Sequence, residues 1–314
     1  MRRRDFISGI ARSAVAWPLA ARAQQPDRIR QIAVLAPLAE GDPEMSARLA
    51  GFRQGLEKRG WSEGRNFRMH TRFAPDSSAD QAQIQAKELI ALQPDVILAQ
   101  ATPLVTALQR ESRLIPIVFA SVADPIGLGF VASLPRPGGN ITGVMLYEAS
   151  VSGKWLAMLE VAPRLERAAF VINPKTAPYY NYYLRAGESL SPSLGIKLVP
   201  SLVENSADLE RTIGAFARTP HGGLLLAPDA STQVHRDLII ALATRYSLPA
   251  VYWERLFVAA GGLMSYGTDY VDIYRQAASY VDRILRGDKP ADLPVQAATK
   301  FETIVTSKQQ RHSA

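Results

Sequence analysis

Polar side chains gather directly after the apolar runs of this chain: Pro37 to Pro43, Gln100 to Pro103, Ser121 to Pro125, Asn173-Pro174, Pro228 to Thr232 and Trp253 to Arg255. Thr102 stands before a proline, which marks a helix N-terminus whose free N–H groups can receive a carboxylate, although plain capping accounts for it equally well. Asp124 precedes Pro125 and Asp229 follows Pro228. Each carboxylate could hold a ligand ammonium through a charge-assisted hydrogen bond, or simply close a turn. The stretch NPKTAPYYNYYLRAG, residues 173–187, adds four tyrosines within five positions. A buried phenol needs a hydrogen-bond partner, so such a cluster has to be either structural or functional. Helical phase places Tyr183 with Leu184, Leu190 and Leu194 on a core stripe. Tyr179 and Tyr180 fall in the first turn, where they can stack on a ligand ring or offer a hydroxyl, with low cost to stability if removed. Tyr182 faces solvent or the helix flank.

This is chemistry of capture, not of turnover. The chain has no G-x-x-x-x-G-K-[ST], H-E-x-x-H or G-x-S-x-G, and Gly127-Leu128-Gly129 lacks the third glycine of a dinucleotide fingerprint. The four histidines, His70, His221, His235 and His312, have no neighbours at metal-ligand spacing. With no cysteine anywhere, thiol catalysis and Cys-based zinc sites are excluded. No catalytic residue, metal or cofactor is therefore expected.

The elements that must position these residues alternate. Short Val/Ile/Leu-rich runs, at 31–37, 67–74, 95–101, 115–121, 168–174, 196–202, 222–228, 249–253 and 261–267, are separated by amphipathic segments of helix length. Continuous apolar runs mark strands covered on both faces, and the β-α-β-α order marks doubly wound parallel sheets. The pattern occurs twice, from 31 to about 121 and from 168 to about 253. Three segments, the Pro/Gly-rich stretch at 134–147, AAGGLMSYG at 259–267 and the Pro-containing stretch at 287–305, are where the chain would pass between two lobes. In such sheets the binding crevice lies beyond the carboxyl ends of the strands, where the polar residues above gather.

The first residues read as an export signal: three arginines, a modest apolar stretch, and Ala21-Arg22-Ala23 at cleavage-site spacing. Arg3-Arg4-Asp5-Phe6-Ile7 resembles the twin-arginine type. Residues 1–23 hold five of the 36 basic residues and one of the 29 acidic ones, so the remainder carries 31 against 28, a net charge of +3 and not the +7 of the whole chain. No basic run with interleaved aromatics remains, which disfavours a nucleic-acid partner. No apolar stretch of the length of a membrane span follows. A periplasmic protein, cleaved after Ala23, is expected.

The motifs FRQGLEKRGWSEGRNF, PIVFASVADPIGLGFVASLPRPGGNITGV and GGLMSYGTDYVDIYRQAASYVDRILRGDKPADLPVQAATKFE closely resemble the tryptophan-binding-like (TrpX-type) substrate-binding proteins of ABC transporters, from about Ile32 to Val305. The resemblance implies a type I periplasmic binding-protein fold, two Rossmann-like α/β lobes joined by three hinge crossings. It also implies an ABC permease and ATPase as partners and a small, preferably aromatic, amino acid or carboxylate as ligand. Matched residue by residue, it points to Thr102, Ser121, Asp124, Asn173 and Asp229, beside which stand Tyr179 and Tyr180. The implied organisation is an export signal over 1–23, lobe one over 27–145 plus 263–288, and lobe two over 146–262 plus 289–314, in a monomer. Docking on a membrane sensor instead of a permease is the alternative. A repressor core of the same fold is disfavoured, because an export signal stands where such a protein needs a DNA-binding head. The polar end TIVTSKQQRHSA departs from the family pattern, which leaves the last helix of lobe two in question.

Overall fold

The computed structural model describes residues 28–75 and 78–306. The expected signal over 1–23 and the polar end beyond Thr306 lie outside the described residues. In chain order the first series is β1 (Arg30–Ala36), α1 (Pro43–Glu57), β2 (Phe67–Phe73), α2 (Ala79–Ala91), β3 (Val96–Gln100), α3 (Thr102–Glu111), β4 (Ile117–Val122) and β5 (Ile141–Met145). The second is α4 (Val151–Met158), β6 (Arg167–Ile172), α5 (Tyr180–Leu194), β7 (Lys197–Leu202), α6 (Ser206–Ala217), β8 (Gly222–Leu226), α7 (Ala230–Val234), α8 (Arg236–Arg245), β9 (Ala250–Tyr252), α9 (Arg255–Ala259) and β10 (Met264–Thr268). The chain ends with α10 (Tyr270–Leu285), β11 (Gln296–Ala297) and β12 (Phe301–Val305).

Two six-stranded sheets result, ordered β2-β1-β3-β4-β5-β11 and β7-β6-β8-β9-β10-β12. All neighbours run parallel except β10 and β12. The central strands β3, β4 and β8 are buried at every position, as strands covered by helices on both faces have to be. In each sheet the order reverses beside the first strand, β1 next to β3 and β6 next to β8, which opens a crevice at the carboxyl ends.

The chain passes between the sheets three times: after β5, between β10 and α10, and between β11 and β12. Helix α10 packs on α1 and on β3, β4 and β5, so it belongs with the first sheet. The lobe boundaries read from the sequence differ at two places. Residues 264–268, expected in lobe one, pair with β12 and, at Met264 and Ser265, with β9 in the second sheet, and Gln296–Ala297, expected in lobe two, pair with β5 in the first. The irregular segment at 134–147 contains a strand, β5, that the sequence reading assigned to the crossing alone. Its Gly143 explains both the miss and the strand: φ is 150°, and a Cβ there would lie 2.1 Å from the Phe119 carbonyl oxygen. Only glycine permits that approach of β5 to β4.

Tyr147, the second residue after β5, fixes the first crossing. Its hydroxyl donates to the Trp253 carbonyl at 2.6 Å and accepts from the Thr268 amide at 3.1 Å. Its ring packs edge-on against Trp155, whose indole donates to the Tyr266 carbonyl.

Candidate functional site

The loops at the carboxyl ends of the two sheets face each other. On the first sheet they are shaped by three non-glycine residues with positive φ: Ala101 at 72°, Ser121 at 66° and Asp124 at 43°. Such conformations cost energy and persist only where their surroundings hold them. Helix α3 begins at Thr102, with Ala101 as its N-cap and no side-chain cap, so Thr102 is the first helical residue and not the cap the sequence suggested. Its side chain is left facing the second lobe beside the phenol of Tyr179. The Ser121 turn interrupts the β4–β5 register and turns its hydroxyl toward that of Tyr270 at 3.4 Å.

Two adjoining cavities lie between the lobes and share Thr102 and Pro103. The outer one, about 530 Å³, is walled by Gln83, Thr106 and Arg110 from lobe one and by Asn173, Lys175 and His235 from lobe two. The inner one, about 30 Å³, is lined by Gln100 and Ser121 from lobe one, Tyr179, Asp229, Gln233 and Trp253 from lobe two, and Tyr270 at the second crossing. The structure thus gathers Thr102, Ser121, Tyr179 and Asp229 around the inner cavity and Asn173 with Thr102 around the outer one. Asp124 and Tyr180 line neither. Asp124 accepts from the Gly127 amide at 2.9 Å, closing its own turn, and Tyr180 lies half-buried against the core at the start of α5.

The candidates of the second lobe are bonded to one another. Asp229 caps α7 through the Ser231 amide at 2.9 Å and accepts also from the Asn173 amide at 2.9 Å and the Thr176 hydroxyl. Burial raises the Asp229 pKa, and these donors act against that rise. The Asn173 side chain donates to the Glu204 carbonyl and the Ser231 hydroxyl, and accepts from the Lys175 amide. Tyr179 is 8% exposed and its hydroxyl donates to the Pro228 carbonyl at 2.9 Å. Burial pushes its pKa far up. Tyr179 therefore lines the cavity and carries structure together, contrary to the expectation that its removal would spare stability. Tyr183 is fully buried in the core, as the helical phase required, and Tyr182 packs edge-on against it with ring centroids 5.1 Å apart.

The sequence reading did not select the charges nearest this site. Arg48 of α1 and Glu254, one residue before α9, each 1% exposed, form an ion pair between the lobes. Gln233 donates to the other Glu254 oxygen at 2.9 Å, and the Arg48 guanidinium lies over the Tyr270 ring, 4.0 Å from its centroid. Burial works against the Arg48 charge, but Glu254 and the two tyrosines Tyr270 and Tyr274 outweigh it and hold its pKa above the usual value. Burial raises the Glu254 pKa, and Arg48 counteracts it. A signal was present: Met45, Arg48, Leu49 and Phe52 share one helical face, so Arg48 is a cation in a core phase.

Residues 31–312 match the profile of the family described as ABC transporter substrate binding protein. The tyrosine-binding protein of Clostridioides difficile (strain R20291) is 23% identical over 264 residues, 84% of this chain and 75% of that one. Among solved structures, a conserved domain protein from Vibrio cholerae is 28% identical with a TM-score of 0.79, covering 88% of this chain and 92% of that one. A Streptococcus pneumoniae ABC domain in complex with L-Trp has a TM-score of 0.79 at 19% identity, covering 90% and 94%. The two lobes, the three crossings and these likenesses make the fold that of a type I periplasmic binding protein. With its matched profile running through both lobes, the chain belongs to the ABC transporter substrate binding protein family.

Proposed function

We propose that this protein captures an aromatic amino acid, or a related carboxylate, between its lobes outside the cytoplasmic membrane and delivers it to an ABC permease and its ATPase. The observation that carries the reading is the inner cavity, to which both lobes contribute and around which Tyr179, Trp253 and Tyr270 place aromatic surface beside the hydroxyls of Thr102 and Ser121. Aromatic walls with a few fixed polar groups suit a ring-bearing solute. The names of two similar proteins, a tyrosine-binding protein and a domain holding L-Trp, agree with that ligand class. Binding proceeds without turnover, by closure of the lobes as a monomer. Export through the N-terminal signal, cleaved after Ala23, supplies the compartment, and no helix among the described residues is long and apolar enough to cross a membrane. In this reading Thr102, Ser121, Tyr179 and Asp229 form the ligand surface, and Asn173 braces it. Asp124 and Tyr180 stand outside it, the first closing the turn after β4 and the second packing on the core.

Calorimetric titration of the exported chain with tyrosine, tryptophan, phenylalanine and their carboxylic-acid analogues tests the proposal. Micromolar binding, about −8 kcal/mol, accompanied by a raised melting temperature, is the expected result. Absence of heat and of any melting shift across the panel would overturn the ligand class.

A further inference from the structure

Arg48, Asp229 and Glu254 are the buried side chains among the described residues that ordinarily carry a full charge at neutral pH. Asp229 is taken up by its own lobe, with three donors on its carboxylate. The other two are placed differently. Arg48 belongs to lobe one and Glu254 to lobe two, and each is buried by the closed arrangement of the two. Arg48 uses Nη2 on Glu254, while its Nε and Nη1 are buried with no hydrogen-bond partner. A buried guanidinium with two unmet donors is costly unless an acceptor reaches it. The residues that touch the pair, Tyr270 over Arg48 and Gln233 on Glu254, both line the inner cavity.

That cavity, at about 30 Å³, holds only about one or two water molecules, so the lobes have to part to admit an amino acid. Parting draws Arg48 and Glu254 away from each other and presents one cation and one anion on opposite walls of the cleft. A free α-amino acid carries the complementary charges a short distance apart. We propose, resting on the ligand class given above, that Arg48 and Glu254 anchor the zwitterion. Arg48 receives the α-carboxylate on Nε and Nη1, and Glu254 receives the α-ammonium. In the closed ligand-bound form four charges alternate in sign, and the unmet donors of Arg48 gain an acceptor. The cleft then selects free amino acids over amines and simple acids that carry the same ring.

The test compares L-tyrosine with tyramine, which lacks the carboxylate, and with 3-(4-hydroxyphenyl)propionate, which lacks the ammonium, by calorimetry on the unmodified protein. The expected result is that each analogue binds at least about 100-fold more weakly, as when one partner of a buried charge pair is removed. Analogue affinities within about threefold of L-tyrosine would overturn the proposal. A second arm exchanges the charges, Arg48→Glu with Glu254→Arg. This double variant keeps opposite charges across the lobes but loses the contacts of Arg48 with Tyr270 and of Glu254 with Gln233, so it is expected to melt below the parent yet still fold, while losing L-tyrosine binding by at least about 100-fold. A pair that serves only as an interlobe contact would give a variant that binds as the parent does, which would sink the anchor role and leave the function above intact. If the unmodified protein binds none of the aromatic amino acids, the ligand class fails and this assignment falls with it.

Discussion

Tyr183 is the core member of the tyrosine cluster, yet its hydroxyl is buried without a partner. Burial drives its pKa well above the ordinary phenol value, with the neighbouring Tyr179 and Tyr182 adding to the rise. Replacing Tyr183 by Phe removes a desolvated group that gains nothing, so chemical denaturation should show unchanged stability or a gain of up to about 1 kcal/mol. Tyr183→Ala should instead cost about 3–5 kcal/mol through the cavity it leaves among Trp155, Tyr179 and Tyr182. Much of this scale was legible in the sequence, because strand-end position and helical phase depend on local pattern. Thr102, Ser121, Tyr179 and Asp229 do reach one cavity. What could not be read was whether a side chain is free or already committed, since the partners of Asp229 lie 53 and 56 residues away, at Thr176 and Asn173. The Arg48–Glu254 pair, separated by 206 residues, was hidden for the same reason.

At the scale of elements, the alternation of apolar runs and amphipathic segments foretold most strands and helices, because that periodicity follows directly from burial. The short strands β5 and β11 escaped. Isoleucine, threonine, glycine and valine in β5 carry little pattern of their own, and its place is decided by the fit of Gly143 against Phe119. Gly143→Ala should therefore destabilise lobe one by more than about 3 kcal/mol, since both the backbone angle and the contact with the Phe119 carbonyl are unfavourable for a Cβ. A melting curve of the variant checks this. A change within about 0.5 kcal/mol of the parent would show that β5 can shift away from β4 at little cost. The two-residue β11 lies beyond sequence reasoning altogether, because its pairing with β5 is set by where the long α10 delivers the chain.

At the scale of the whole molecule, two α/β lobes and three crossings were legible, whereas the order in which the last segments alternate between lobes was not. The first crossing depends on Tyr147, which serves a carbonyl on one side and an amide on the other. Tyr147→Phe would leave the Trp253 carbonyl and the Thr268 amide short of a partner, and calorimetry should record a loss of about 2 kcal/mol with both lobes still folded. The interleaving of the last segments also bears on how the protein is made. The apolar face of α1, with Met45, Leu49, Phe52 and Leu56, is covered by α10, some two hundred residues further along the chain. The lobe synthesised first is therefore finished nearly last, its helix α1 bare until α10 has left the ribosome and its sheet short of β11 for longer still. The second lobe waits for β12 in turn. A chain halted before about residue 285 would contain neither lobe complete, so a premature stop should yield no half-sized folded fragment, only material for proteases.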